Sequence, residues 1–299
     1  MKYIFITCHG HSGSTLLAKL LSLHAEGLNV GEIKHFADYY SKNDPCGCGQ
    51  LLQDCPFWNN VLASGAFPSP LTEESFPVEG VRRQPWVNYA YFLTLFSWPR
   101  LYQWLSSFPS TLQALNRRNA QNQWKLVRAT ASVGQKSVII DKSMSISRYQ
   151  EIFLTQPPGI DFLLVHLVRD GRANMYSYMK RFAQAPRKAA LKWRKTNRKI
   201  ETAKFFSHNR NVIEVRYEDL IAQPEQVCQD IFAQIGMDFE AQIDDLSQAF
   251  DHSIGGNDDK LMGYQKIRTD RRWEDQLTEE ELAIFDKTAG KLNKKYGYQ

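Results

Sequence analysis

Apolar residues along this chain gather in short continuous runs rather than alternating with polar ones. Lys2 to Cys8 is rich in β-branched and aromatic residues and stops at His9-Gly10. Ser137 to Ile140, Phe162 to Val168 and Val212 to Val215 repeat the pattern. A strand that is apolar on both sides of its pleat is buried on both faces, as in a parallel sheet covered by helices. Helical patterns follow the runs at Thr15 to Leu21, Ser147 to Leu154, Arg172 to Phe182 and Pro224 to Ile235. These strand-then-helix units predict an α/β fold with a central parallel sheet flanked by helices. Ligands of such sheets bind beyond the carboxyl ends of the strands. At those ends the chain places Gly10 to Thr15, Asp141-Lys142-Ser143, Arg169-Asp170-Gly171 and Arg216-Tyr217-Glu218-Asp219.

The segment from about 44 to 135 breaks this rhythm. It holds most of the prolines and five of the seven tryptophans, with few strand patterns. It reads as a helical, aromatic-rich insertion within one domain spanning residues 1–299, a cap over the sheet for an acceptor. Its rings between Trp86 and Trp104 either stack on that acceptor or fill the core of the insertion.

Composition narrows the function classes. A hydrophobic fraction of 43% can build a sizeable core and argues against disorder. The net charge of +5 suits a small polyanionic ligand, and no dense basic run marks a nucleic-acid arm. The most basic stretch, Arg181 to Lys199, reads as a solvated helix face. No uninterrupted apolar stretch reaches the roughly 20 residues of a membrane-spanning helix. Tyr89 to Phe108 comes nearest, and Pro99 and Arg100 interrupt it. The first residues lack the apolar core of a secretory signal, so a cytoplasmic protein is expected. The sequence is silent on oligomeric state.

Three of the five cysteines cluster as Cys46-Gly47-Cys48-Gly49 and Cys55. No histidine stands at a zinc-finger spacing from them; His24 and His35 are the nearest in sequence. The thiols read as packing or a local redox pair, and no metal is expected.

The strongest local signal is Gly10-His11-Ser12-Gly13-Ser14-Thr15. A glycine- and hydroxyl-rich loop between a strand and a helix aims backbone N–H groups and a helix N-terminus at an anion. The Gly-Lys-Ser/Thr ending of a nucleotide-triphosphatase loop is absent. A second grip is predicted where Arg169 ends a buried strand and Ser177 lies eight residues on, two turns into the next helix. A guanidinium and a hydroxyl so placed can hold one phosphate together. Two separate grips suit a nucleotide carrying phosphates at both ends.

These residues resemble the PAPS-dependent sulfotransferase family, in its bacterial, stand-alone form with a P-loop-like fold. His11-Ser12-Gly13-Ser14-Thr15-Leu16-Leu17 is similar to its 5′-phosphosulfate loop. Leu167-Val168-Arg169-Asp170-Gly171-Arg172-Ala173, with Ser177, is similar to its 3′-phosphate signature. Asp141-Lys142-Ser143, Arg216 to Leu220, His252 to Asn257 and the cysteine stretch from Cys46 to Trp58 match in the family's order. The resemblance implies that PAPS is the sulfuryl donor and PAP the product. It assigns Ser12, Gly13, Ser14 and Thr15 to the 5′-phosphosulfate, Arg169 and Ser177 to the 3′-phosphate, and Tyr217 to the adenine. Lys260 or Arg268 is expected to close over the 3′-phosphate.

One position departs from the family. His11 stands where an arginine or lysine usually precedes Ser-Gly, so His11 or Lys142 is left to stabilise the leaving group, with His9 able to share the task. A general base must take the acceptor's proton. Glu32, twenty-one residues after His11, resembles the base of glutamate-using members, with His35 as the reserve. The expected reaction is in-line sulfuryl transfer to a hydroxyl or amine of a natural product, glycolipid or sugar. Positioning and fixed charges carry such a loose transfer, so no metal is required. Two rivals stand beside this reading: a P-loop small-molecule kinase, and a catalytically inactive nucleotide- or glycan-binding module.

Overall fold

The computed structural model describes residues 1–65, 67, 111–206, 211–241, 243, 246, 249, 251–256 and 271–299. Its strands are β1 (Lys2–Cys8), β2 (Gly27–Gly31), β3 (Val138–Asp141), β4 (Asp161–Val168), β5 (Val212–Arg216) and β6 (Asp251–Ile254). They form one sheet in the order β5-β4-β1-β3-β2-β6, every pairing parallel. β1 lies in the interior, running in register with β4 from Lys2–Asp161 to Cys8–Leu167. Its other neighbour is β3, so the ends of β1, β3 and β4 lie side by side.

The continuous apolar runs are explained by burial on both faces. Tyr3, Phe5, Leu28, Val30, Ile139, Phe162 and Leu164 project into one core with Trp58, Trp124 and Tyr149. Ile4, Ile6, Val138, Ile140, Leu163 and Val165 project into the other. There they meet Leu17, Leu20 and Leu21 of α1 (Ser14–Leu21) and Ile231 and Phe232 of the helix at Pro224–Gln234. Each fully buried side chain of this kind contributes about 1.5–3 kcal/mol, which fixes which side of each strand faces which helix layer.

The four strands read from apolar runs all form, and each is followed by a helix near the expected bounds. β2 and β6 were not expected. Gly27-Leu28-Asn29-Val30-Gly31 and Asp251-His252-Ser253-Ile254 are short, with glycine or polar residues at most of their positions. Pairing, not pattern, makes them strands: Glu32 N–H donates to Ile254 O at 2.8 Å, and a Cβ on Gly31 (φ +69°) would strike the Ile254 backbone.

Within the expected insertion, α2 (Pro56–Ser64) and α3 (Thr111–Gly134) are helical. Trp58 and Trp124 from these helices pack into the Tyr3–Phe5 core, with the Tyr3 and Trp124 rings 5.4 Å apart. The rings between Trp86 and Trp104 lie outside the described residues, as do Lys260 and Arg268. No helix among the described residues is long and apolar enough to cross a membrane.

The C-terminal segment forms a latch that sequence patterns did not disclose. Trp193, Phe285, Tyr296 and Tyr298 build a third core against Val168 and Met175. Buried Asn293 accepts from Gly171 N–H at 2.9 Å and donates to Asp170 at 3.2 Å. Tyr298 donates to Glu218 at 2.5 Å, and Glu218 accepts from Asp170 N–H at 3.2 Å. The latch thereby clamps the ends of β4 and β5 to each other.

Candidate functional site

The loop from His9 to Gly13 leaves β1 and enters α1 through a left-handed turn. Gly13 has φ +91° as the residue capping the helix, a conformation that glycine adopts without strain. The Tyr217 ring lies so close that a Cβ on Gly13 would sit 2.5 Å from it. Gly10 likewise gives room to Tyr178, whose hydroxyl would stand 2.5 Å from an added Cβ. The first-turn N–H groups of α1 have no partner within the helix and carry its partial positive charge.

Asn174 holds the loop from behind. It lies on α4 (Gly171–Phe182), is fully buried, and donates to Gly10 O at 2.7 Å and Ser12 Oγ at 3.3 Å. Ser12 and Ser14 are buried, and Ser14 Oγ donates to the Met144 sulfur at 3.4 Å. Their hydroxyls thus brace the loop from inside. Thr15 is half-buried, and its hydroxyl lies near Gly256, at the end of β6.

Arg169 follows β4 directly and is joined to this loop. Its Nη1 donates to His11 O at 3.0 Å, and its guanidinium lies 4.7 Å from the Tyr217 ring centroid. Tyr217 therefore borders both predicted phosphate grips. Asp170 caps α4, accepting from Arg172 N–H at 2.9 Å, and pairs with the Arg172 guanidinium at 2.6 Å. Ser177 is half-buried and donates to Ala173 O at 3.0 Å within its own helix.

Beyond β3, buried Asp141 accepts from Tyr3 OH at 2.6 Å and from Ser143 N–H at 2.7 Å. Burial raises its pKa, against the pull of Arg148 and of the Ser143 and Tyr3 hydrogen bonds. This network pins the turn that projects Lys142. Only 1% of that side chain is exposed, and its Nζ lies 4.0 Å from Glu32 Oε1. Glu32 Oε2 accepts from Tyr39 OH at 3.2 Å. A Cβ on Gly256 would collide with Lys142 Nζ, so this glycine (φ +93°) lets β6 close over the lysine. Glu32, Lys142, Thr15 and Gly256 thus share one corner of the sheet's carboxyl edge.

The histidines sit elsewhere. His11 has φ +61° and its ring packs on Tyr178 (5.2 Å) and Phe182 (5.6 Å). His9 is buried, stacks on Tyr178 at 4.8 Å and bonds Thr196 at 3.1 Å. Burial, then the neighbouring His11 and Lys192, lowers its pKa to about 4. At neutral pH His9 is therefore uncharged, which removes it as a cation for the leaving group. His35 meets the Tyr39 ring edge-on, with centroids 6.0 Å apart. Sequence reasoning missed Asn174, Tyr39 and Tyr178. Each is an unremarkable polar residue in an ordinary helix, identifiable only once the loops converge.

The sequence model of a family described as "Sulfotransferase family" matches residues 81–241, more than half of the chain. The chain belongs to the sulfotransferase family. That membership supports a transferase activity on a small-molecule acceptor. The sulfotransferase domain of the olefin synthase from Synechococcus PCC 7002 is 17% identical, with a TM-score of 0.51 over 100% of this chain and 95% of that one. The sulfotransferase domain from the curacin biosynthetic pathway is also 17% identical, with a TM-score of 0.55 over 99% and 97%. At these identities the likeness is one of fold. No curated protein matches the chain.

Proposed function

We propose that this sulfotransferase takes its sulfuryl group from PAPS and delivers it to a hydroxyl or amine of a small molecule. The observation that carries the reading is the 3.0 Å bond from Arg169 to the His11 carbonyl, with Tyr217 against both Arg169 and Gly13. It makes one continuous anion- and ring-binding surface of two motifs 158 residues apart. Such a surface fits a nucleotide with a phosphosulfate at one end, a second phosphate at the other and a base between. Fit is further supported by the left-handed Gly13, which opens the α1 N-terminus to an anion, and by the charged end of Arg169.

In this reading the loop amides from Ser12 to Thr15 bind the 5′-phosphosulfate, with the Thr15 hydroxyl beside them. Arg169 and Ser177 take the 3′-phosphate, while Tyr217 lies against the adenine. Glu32 accepts the acceptor's proton as the new O–S or N–S bond forms and the bridging S–O bond breaks. The bridging oxygen leaves on the nucleotide phosphate, where Lys142 offsets the growing charge. The turn of His11 toward Tyr178 and Phe182 favours Lys142 for that role. A natural-product acceptor is in keeping with the biosynthetic pathway named for one of the domains that share the fold.

Asp141 and Asp170, the carboxylates a kinase would use for magnesium, are engaged by Tyr3, Ser143 and Arg172. Calorimetry separates the readings: without metal, PAP should bind well above ADP and AMP. A preference for ATP with magnesium, or no discrimination, would refute PAPS as donor. Arg169→Ala should then cost PAP a charge-assisted hydrogen bond, about 1.5–3 kcal/mol of affinity. Equal affinity in that variant would remove Arg169 from the site.

A further inference from the structure

The cysteine cluster gains a fourth member in the folded chain. His252 is 197 residues from Cys55, yet β6 brings its Nδ1 to 3.5 Å from Cys55 Sγ and 3.7 Å from Cys46 Sγ. Cys48 Sγ lies 3.7 Å from Cys55 Sγ, and all four ligand atoms fall within 4.8 Å of one another. A tetrahedral zinc ion with Zn–S of about 2.3 Å and Zn–N of about 2.0–2.1 Å sets S···S near 3.8 Å and S···N near 3.6 Å, roughly the spacing found.

We propose that Cys46, Cys48, Cys55 and His252 form a closed, structural zinc site. The surroundings are those of metal ligands. The His252 ring is stacked on Phe57, with centroids 4.2 Å apart and planes 15° apart, and its carbonyl accepts from Trp58 Nε1 at 3.0 Å. These contacts hold Nδ1 toward the sulfurs before any ion arrives. The glycines have matching work: Gly49 (φ +89°) closes the turn back to Cys46 O, while Gly47 passes flat against Asp251 and Ser253.

Cys46 and Cys55 are buried, and burial raises both thiol pKa values. A cation would reverse this, displacing up to three thiol protons to solvent. Cys48 is exposed and leaves a path for the ion. The contrasting cluster of His166, Glu201 and Glu214 already has ammonium groups on its carboxylates. Lys204 pairs with both glutamates, at 2.8 and 2.5 Å, and Lys295 pairs with Glu201. The zinc would tie β6 to the 46–55 loop and so steady Gly255 and Gly256, which meet Tyr39 and Lys142.

Full-length protein purified under reducing conditions and dialysed without chelator should contain about one zinc per chain by mass spectrometry of the metal, as four protein ligands imply. Cys48→Ala and His252→Ala should lose most of it, and Cys228→Ala, outside the cluster, should keep it. Should the ligand variants fail to fold, cobalt exchanged into the wild-type chain tests the same point. It should show sulfur-to-cobalt charge-transfer bands and the visible bands of a tetrahedral ion. A reduced wild-type chain that takes up neither metal overturns the proposal. So does a Cys48–Cys55 disulfide without metal, or full zinc occupancy in both ligand variants.

Discussion

Replacing Glu32 with glutamine should lower kcat by about 10²–10⁴-fold while PAP affinity stays as it was. Glutamine keeps the length of the side chain and can still accept the 3.2 Å bond from Tyr39 OH, so the corner should remain packed. What it loses is the ability to receive a proton from the acceptor. The loss corresponds to roughly 3–5 kcal/mol of transition-state stabilisation, and it should appear in single-turnover rates as well as at steady state. Calorimetry with PAP then separates chemistry from binding, because Glu32 is not expected to touch the donor's phosphates. Undiminished turnover would discard the base assignment. If His35→Asn were impaired instead, the base would lie three residues further on, where the imidazole meets Tyr39 edge-on.

Much of this candidate site was legible in the sequence, because its parts sit at the ends of strongly patterned strands. β1 and β4 announce themselves as unbroken apolar runs, and the residues at their ends, His11 to Thr15 and Arg169, follow automatically. The 3.0 Å bond between Arg169 and the His11 carbonyl is the long-range counterpart of that local pattern. β2 and β6 lacked such a signal. They are short, and their glycine and polar residues are explained by what approaches them: Ile254 against Gly31, Asp251 against Gly47.

That blind spot had a chemical consequence. The histidine facing the three cysteines is supplied by β6 from near the other end of the chain, so sequence spacing alone did not bring it to them. The C-terminal latch escaped notice for a similar reason. Asn293 and Tyr298 look like ordinary tail residues until their bonds to Asp170 and Glu218 place them beneath the Arg169 turn.

Lys142→Met should cost about 10²–10³-fold in kcat, or about 2.7–4 kcal/mol, the range for a fixed group aimed at developing charge. His11→Ala should cost much less. The reasoning is geometric: Lys142 is almost fully buried, with Thr15, Gly256 and Glu32 around its ammonium, whereas the His11 ring leans on Tyr178 and Phe182. Removing a buried cation also strands its partner, and breaking such a pair destabilises more than removing both charges. Lys142→Met alone should therefore melt below the double variant Glu32→Gln/Lys142→Met. Stability should recover in the double variant while turnover does not, which separates folding from chemistry. A steep loss in His11→Ala with Lys142→Met near wild type would reverse the two roles. The rate would then rise as the imidazole gains its proton, a pH dependence that an ammonium group would not impose near neutrality.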